Sequence, residues 1–259
     1  MSYVFSDTLR LPGIRHLFTT RSGGVSTGVF AEMNLAAGSG EVRDSMENVV
    51  RNHDICARFL GYTAADVCRT VQEHTARVET VTLADKGRGL VTPPFGFGVD
   101  GIVTADSGIV LSVRGADCAT LLAADTAHGV IGALHSGWRG TLHNAAGNLI
   151  CKMFSLGATA DCIHVAVGPC IKSCCYEIDG TLFEQFAEKG YDYAFTPKGG
   201  GKYMLELTEI IGRQLISAGI PDAQIDIIPD CTCCNEDYFS HRRMGVNRGT
   251  GGAMIVRVC

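Results

Sequence analysis

Two uncharged apolar runs, Ala119–Ala124 and Gly129–Leu134, stand only four residues apart across Asp125-Thr126-Ala127-His128. No other feature limits the fold as strongly. Runs of this length suit strands, and the short polar link between them predicts an antiparallel pair. Such a pair carries Cys118 at the outer end of one strand and His135 at the outer end of the other, so two residues 17 positions apart (135 − 118) meet at one edge of a sheet.

Strand-like and helical patterns alternate along the rest of the chain. Strands are expected at Ile14–Thr20, Val67–Val71, Val78–Leu83, Val99–Thr104, Ile109–Val113 and Ala253–Val258. Asp44 and Glu47 have the spacing of a capping box, which predicts a helix from Asp44 that ends by Gly61. Leu142, Ala145, Ala146, Leu149, Ile150 and Met153 recur at the helical period and predict one amphipathic helix. A further helix is expected over Leu205–Ala218, stopped by Gly219 and Pro221. No repeat, low-complexity tract or long linker interrupts this order. The fold class is therefore α/β (α+β), a single layered domain over residues 1–259 with central mixed sheets covered by helices.

Composition narrows the function. A net charge of -5 without clusters of Lys and Arg argues against a nucleic-acid partner. The first ten residues lack a secretory pattern, and no apolar stretch approaches a membrane span, so a cytoplasmic protein with no membrane partner is expected. Twelve cysteines in a chain of this size are read as reduced thiols rather than a disulfide framework.

His74 lies in VQEHTARV, an extended segment, so it can join Cys118 and His135 at the same sheet edge. Two imidazoles and a thiolate would make a three-ligand zinc site with its fourth position open, the pattern of a catalytic rather than a structural zinc. Each residue also has a plainer reading. Buried cysteines usually pack inertly, and isolated histidines usually serve the core or the surface. Asp117 and the Gly137-Trp138-Arg139-Gly140 turn beside the candidates favour the site. The runs CxxxCC at Cys170, Cys174 and Cys175 and CxCC at Cys231, Cys233 and Cys234 are dense enough for a second, structural zinc in principle. The expectation there is thiols without metal.

The blocks FTTRSGGVS, NLA, VQEHTARV, VDGIVT, GADCATLLAAD, ALHSGWRG, VAVGPCIKSCCYEI and CTCCNEDYFSHRR, in this order from about Phe18 to Val258, resemble the laccase-domain or polyphenol-oxidase family. That family is now regarded as zinc-dependent purine nucleoside phosphorylases. The resemblance implies zinc on His74, Cys118 and His135, the same residues as the catalytic set. It implies phosphorolysis of adenosine, inosine, guanosine and methylthioadenosine, together with adenosine deamination. Purine nucleosides and phosphate are then the partners, in a monomer or weak homodimer. A metal that activates water suits attack at C6 of adenine. Phosphorolysis also needs an anion site.

Arg139 is the first candidate for that site, because it lies in the turn before a helix whose free amides favour anions. Arg21 beside the glycines of RSGGVS is the second, and Arg242 with Arg243 the third. Asn34, Gln72 and Asp117 are candidates to orient ligands or substrate, with support of a neighbouring ligand or capping of the backbone as the equal alternative for each. Four departures from the family pattern stand out. Ser136 replaces the alanine of HAGWRG, Ser240-His241-Arg242-Arg243 replaces SYRR, and Thr250-Gly251-Gly252 lacks the arginine of a late TGR. EVRDS at Glu41–Ser45 also replaces a common Gly-Asp pair. Copper-dependent phenol oxidation is disfavoured, because coupled copper sites draw on His-x-His pairs and the eight histidines here form none. A cysteine hydrolase with Cys118 as nucleophile and His135 as base is the main alternative. An editing role in cell-wall precursor synthesis is another.

Overall fold

The computed structural model describes residues 3–38 and 40–258. The strands in chain order are β1 (Tyr3–Val4), β2 (Ile14–Thr19), β3 (Val67–Arg69), β4 (Val78–Thr80), β5 (Gly101–Thr104), β6 (Val110–Gly115) and β7 (Ala119–Asp125). They continue with β8 (Val130–Ser136), β9 (Ile163–Val167), β10 (Glu177–Asp179), β11 (Phe195–Gly199), β12 (Lys202–Leu205), β13 (Ile225–Ile227) and β14 (Gly251–Arg257). The helices are α1 (Met46–Phe59), α2 (Trp138–Leu142), α3 (Ala145–Phe154), α4 (Gly180–Ala187), α5 (Leu207–Ser217) and α6 (His241–Met244).

The hairpin forms as the sequence predicts. β7 and β8 pair antiparallel with Thr120 opposite His135, and every residue of both strands is buried. Burial on two faces explains why neither strand alternates with polar residues. The turn is closed by Asp125, which accepts the His128 amide at 2.9 Å and His128 Nδ1 at 2.8 Å. This pair sits inside a six-stranded sheet ordered β13-β9-β7-β8-β5-β4. A five-stranded sheet ordered β1-β2-β14-β6-β3 packs across it, and the third sheet, β10-β12-β11, is small.

Side chains alternate along β7, so successive residues serve different cores. Leu122 and Ala124 face the space between the two large sheets, where they meet Phe18, Leu111, Val113 and Ile255. Leu121 and Ala123 face outward onto Leu149, Ile150 and Met153 of α3 and Ile210, Ile211 and Leu215 of α5. On the opposite side, Cys56, Ala57 and Leu60 of the α1 region cover Leu17, Val67, Val110 and Met254. The result is a layered sandwich of helix, sheet, sheet and helix, the mixed α/β class expected from sequence.

Several boundaries differ from expectation for physical reasons. Helix α1 is capped by Ser45, whose hydroxyl accepts the Asn48 amide at 3.1 Å. Asp44 instead ties the preceding loop to Ser26 and Asn34. Gly61 at φ +86 and the Tyr62 amide on the Ala57 carbonyl end the helix in a Schellman arrangement. The helix expected to begin at Leu142 is two helices, because Asn144 is left-handed at φ 58 and breaks the backbone run. Leu205 belongs to β12, and α5 starts only at Leu207.

His16 on β2 is buried, and its Nε2 accepts the Ser6 amide at 3.0 Å. Burial, reinforced by Arg10, lowers its pKa to about 4. A His held neutral in the fold but ionisable when unfolded favours unfolding as pH falls from about 6.5 to about 4. Stability is therefore expected to drop by about 2 to 3 kcal/mol from this residue between pH 7.5 and 4.5. Denaturant unfolding of the wild type and of His16→Gln, which keeps an acceptor for Ser6, checks this through a shallower pH slope in the variant.

Candidate metal centre and its two cavities

His74, Cys118 and His135 offer ligand atoms that all lie within 4.8 Å of one another, compatible with one metal ion. Cys118 Sγ stands 3.9 Å from His74 Nε2, and the two imidazole rings meet edge to face with centroids 5.0 Å apart. The hairpin brings Cys118 and His135 together by register alone, since Cys118 immediately precedes β7 and His135 lies one residue from the end of β8. His74 reaches them from a loop in a left-handed conformation at φ 59.

What holds that loop is Asp100, a residue the sequence reading did not assign to the site. Its carboxylate accepts the successive amides of Glu73, His74 and Thr75 at 3.2, 3.1 and 2.8 Å and the Thr75 hydroxyl at 2.8 Å. Three consecutive amides converging on one anion form a nest, here filled by a side chain of the same protein. The same carboxylate accepts His135 Nδ1 at 2.8 Å, which turns Nε2 toward Cys118 and fixes the tautomer. One buried group thus orients both histidines.

The electrostatics follow from this packing. Burial works against charge on Cys118, but His135 and His74 outweigh it and pull the thiol below its ordinary value. Burial likewise opposes charge on His135, yet Cys118 and Asp100 push the imidazole up. Asp100 is itself held low, because His135 and Thr75 overcome the cost of burying its carboxylate. A thiolate beside two nitrogen donors is a donor set that suits zinc. Gly137 leaves room for it: a Cβ there would lie 2.8 Å from Cys118 Sγ and 3.0 Å from His74 Cδ2.

The triad stands where two cavities meet. A cleft of about 410 Å³ is lined by Trp138, Tyr176, Ile171 and Leu207 with Arg139, His241 and Arg242. A second cavity of about 340 Å³ is lined by Arg69, Gln72, Arg114 and Arg248 beside Gly38 and Thr250. His74, Ala116, Cys118 and Arg248 line both.

Over residues 15–258 the chain matches the family described as multi-copper polyphenol oxidoreductase laccase. It belongs to that family. The chain is 33% identical over 246 residues to the purine nucleoside phosphorylase YlmD of Geobacillus stearothermophilus, covering 92% of this chain and 86% of that relative. It is 29% identical over 242 residues to adenosine deaminase RL5 of an unknown prokaryotic organism, covering 92% of this chain and 91% of that one. The crystal structure of YlmD from Geobacillus stearothermophilus superposes with a TM-score of 0.88 at 30% identity, over 98% of this chain and 94% of that one.

In this member of the laccase-like family the sequence-derived residues divide. Gln72 lines the second cavity, but its amide is spent on the Arg114 backbone, accepting at 2.9 Å and donating at 2.8 Å. Asp117 is left-handed at φ 89 and accepts Thr232 Oγ1 at 2.7 Å and the Arg242 amide at 2.6 Å, so it ties the Cys118 loop to the 230–244 segment. Arg242 lines the larger cleft while donating to the Cys175 and Glu177 carbonyls. Arg243 is committed to the carbonyls of Thr232, Cys233, Asn235 and Tyr238.

Three expectations need correction. Arg21 does not reach either cavity: its Nε donates to the Ala31 carbonyl at 3.0 Å and its guanidinium lies over Phe239. Asn34 is fully buried and binds Ala36, Asp44 and the Thr250 amide, so it shapes the wall of the second cavity without lining it. Arg139 lies within α2 rather than ahead of it, with its guanidinium over the Trp138 ring, and five residues make too short a helix to hold an anion at its end.

At position 252, where the resemblance leads to an arginine, a Cβ would lie 2.4 Å from the Val113 carbonyl oxygen. Arg248, four positions earlier (252 − 248), lines both cavities. Its Nε and those of Arg69 and Arg114 are buried without a partner among the described residues. Burial lowers the pKa of all three, and the neighbouring Arg69 helps push Arg114 down to about 9. No sequence motif marked these three arginines, since they come from separate segments.

Replacing Asp100 by Asn keeps the size but loses the charge and cannot accept at every contact. Metal affinity is expected to fall by about ten- to a hundred-fold, read by competition with a chromophoric chelator. A variant that binds metal as tightly as the wild type would show that the histidines hold their positions without it.

Proposed function

We propose that this chain is a zinc-dependent purine nucleoside phosphorylase acting on adenosine, inosine, guanosine and methylthioadenosine. The observation that carries the reading is the seam: a cleft with aromatic walls and a cavity with three arginines share His74 and Cys118. Phosphorolysis needs two such compartments, because a nucleoside and a phosphate must meet at one carbon. The larger cleft lies within the usual range for small-molecule sites. Trp138 and Tyr176 offer faces for a purine, and the relatives named purine nucleoside phosphorylase support that choice.

The second compartment suits phosphate. Buried guanidinium donors without partners are costly and repel one another, and a dianion relieves both penalties. In the reaction a phosphate oxygen bonds to C1′ as the C1′–N9 bond breaks, with the electron pair leaving on the purine. Arg69, Arg114 and Arg248 hold the attacking anion, and the cleft walls fix the base. Asp100 keeps His135 Nε2 directed at the seam through the Nδ1 contact. A zinc ion held by His74, Cys118 and His135 would supply a Lewis acid there.

A second reading, hydrolytic deamination of adenosine, is favoured by the relative named adenosine deaminase. It uses the aromatic cleft and the same triad but not the arginine cavity. The two activities are therefore separable. Arg114→Gln is expected to raise the phosphate KM about ten-fold or more and to leave adenosine deamination intact.

The test is release of free base from inosine and adenosine with and without phosphate, alongside ammonia release and metal content on the same sample. Phosphate-dependent base release that a chelator abolishes supports the reading. Cys118, His135 and Asp100 also stand in a nucleophile, base and orienting-acid order. A metal-free sample that hydrolyses ester or amide substrates would establish the cysteine hydrolase instead.

A further inference from the structure

Four cysteines outside the catalytic centre converge on one point. Cys174 and Cys175 lie in the loop that follows β9, and Cys231 and Cys234 lie in the loop that follows β13, 57 positions later (231 − 174). Their four sulfurs lie within 4.8 Å of one another, with Cys234 Sγ 3.4 Å from Cys174 Sγ and 3.2 Å from Cys175 Sγ. All four are free thiols. A tetrahedral zinc with bonds of about 2.3 Å spaces its sulfurs about 3.8 Å apart, within the spread found here.

The sequence pattern agrees once the right pair is chosen. Cys231-Thr232-Cys233-Cys234 reads as CxCC, but Cys231 and Cys234 alone form a CxxC pair, the commonest ligand spacing in structural zinc sites. Cys233 is the residue left out of the cluster. Backbone geometry supports the same choice. The Lys172 amide points at Cys231 Sγ at 3.5 Å, and the amides of Cys234 and Cys233 point at the same sulfur. Amides converging on one sulfur spread the negative charge of a thiolate ligand. An isolated bridge between Cys170 and Cys231 aligns the two loops so that their thiols face each other.

We propose that Cys174, Cys175, Cys231 and Cys234 bind a second, structural zinc ion. The thiols bind as thiolates, and their protons pass to solvent. Four thiolates leave no open position, so this site differs in kind from the three-ligand centre. Cys174 and Cys234 are exposed, which gives the ion a path in.

Its place in the fold defines its role. The clamped loops carry Ile171 and Tyr176 on one side and lead to His241 and Arg242 on the other, all lining the larger cleft. Arg242 donates to the carbonyls of Cys175 and Glu177, and Thr232 reaches Asp117 beside Cys118. The second ion therefore staples the wall of the nucleoside cleft, joining two loops just beyond the paired strands β9 and β13 from which they leave the sheet.

The experiment measures zinc per chain by elemental analysis on full-length protein purified from zinc-replete medium under reducing conditions. The wild type should carry about two ions, and Cys118→Ser and Cys234→Ser about one each. Cys174→Ser gives a second route if Cys234→Ser fails to fold, and circular dichroism checks both. Loading Cys118→Ser with Co²⁺ should give the intense thiolate charge-transfer absorption of a sulfur-rich tetrahedral site.

A zinc content unchanged by Cys234→Ser and Cys174→Ser overturns the proposal. So does a Cys118→Ser protein without metal, or thiol titration that finds Cys234 bonded to Cys174 or Cys175. Loss of zinc only on Cys118→Ser would leave the catalytic reading standing, and zinc retained without phosphorolysis would leave the structural ion standing, so the two fail separately.

Discussion

A single buried carboxylate carries more of this structure than any other side chain. Asp100 joins the loop that presents His74 to the strand that presents His135, and it does so through five hydrogen bonds, three of them from successive amides. Burying a carboxylate costs several kcal/mol unless its lone pairs are satisfied, and here the satisfaction and the function are the same contacts. The left-handed backbone at His74 is tolerated for the same reason, because it points three amides at one acceptor. Without the anion the loop would have no cause to adopt that shape.

Around this hub the layered fold supplies placement rather than chemistry. The β7-β8 hairpin is covered on both faces, so the ends of its strands are fixed by cores on either side. Loops joined at that edge then divide the surroundings into a cleft that combines aromatic walls with Arg139 and Arg242 and a cavity walled by Arg69 and Arg114, with Arg248 common to both. The difference that matters is the stacking surface: Trp138 and Tyr176 line only the larger cleft, while the buried guanidinium groups of Arg69 and Arg114 line only the other.

Much of this was legible in the sequence, for reasons that can be named. The hairpin was readable because two apolar runs and a short polar link leave few alternatives, and the meeting of Cys118 and His135 follows from register. The helix faces were readable from their period, although Asn144 breaks one of them through a single backbone angle that no periodicity reveals. The arginine cavity was not legible. Arg69, Arg114 and Arg248 come from three segments and share no spacing, and only the pairing of β3, β6 and β14 gathers their surroundings. Asp100 left a faint signal, a lone carboxylate directly ahead of an apolar strand. Arg21 misled because a glycine-rich turn resembles a phosphate loop, while its guanidinium is spent on holding that turn.

The three ligands of the first centre differ in how they are anchored. His135 is buried inside a sheet, Cys118 is half-buried at the start of a strand, and His74 is exposed on a loop. Exposure therefore rises from one donor to the next, and His74 is the donor that solvent reaches. A competing chelator would therefore approach a bound ion from the His74 side, because sheet and core cover the other two donors. Exchange with an outside metal pool would then run through that one exposed side and would not require the sheets to open.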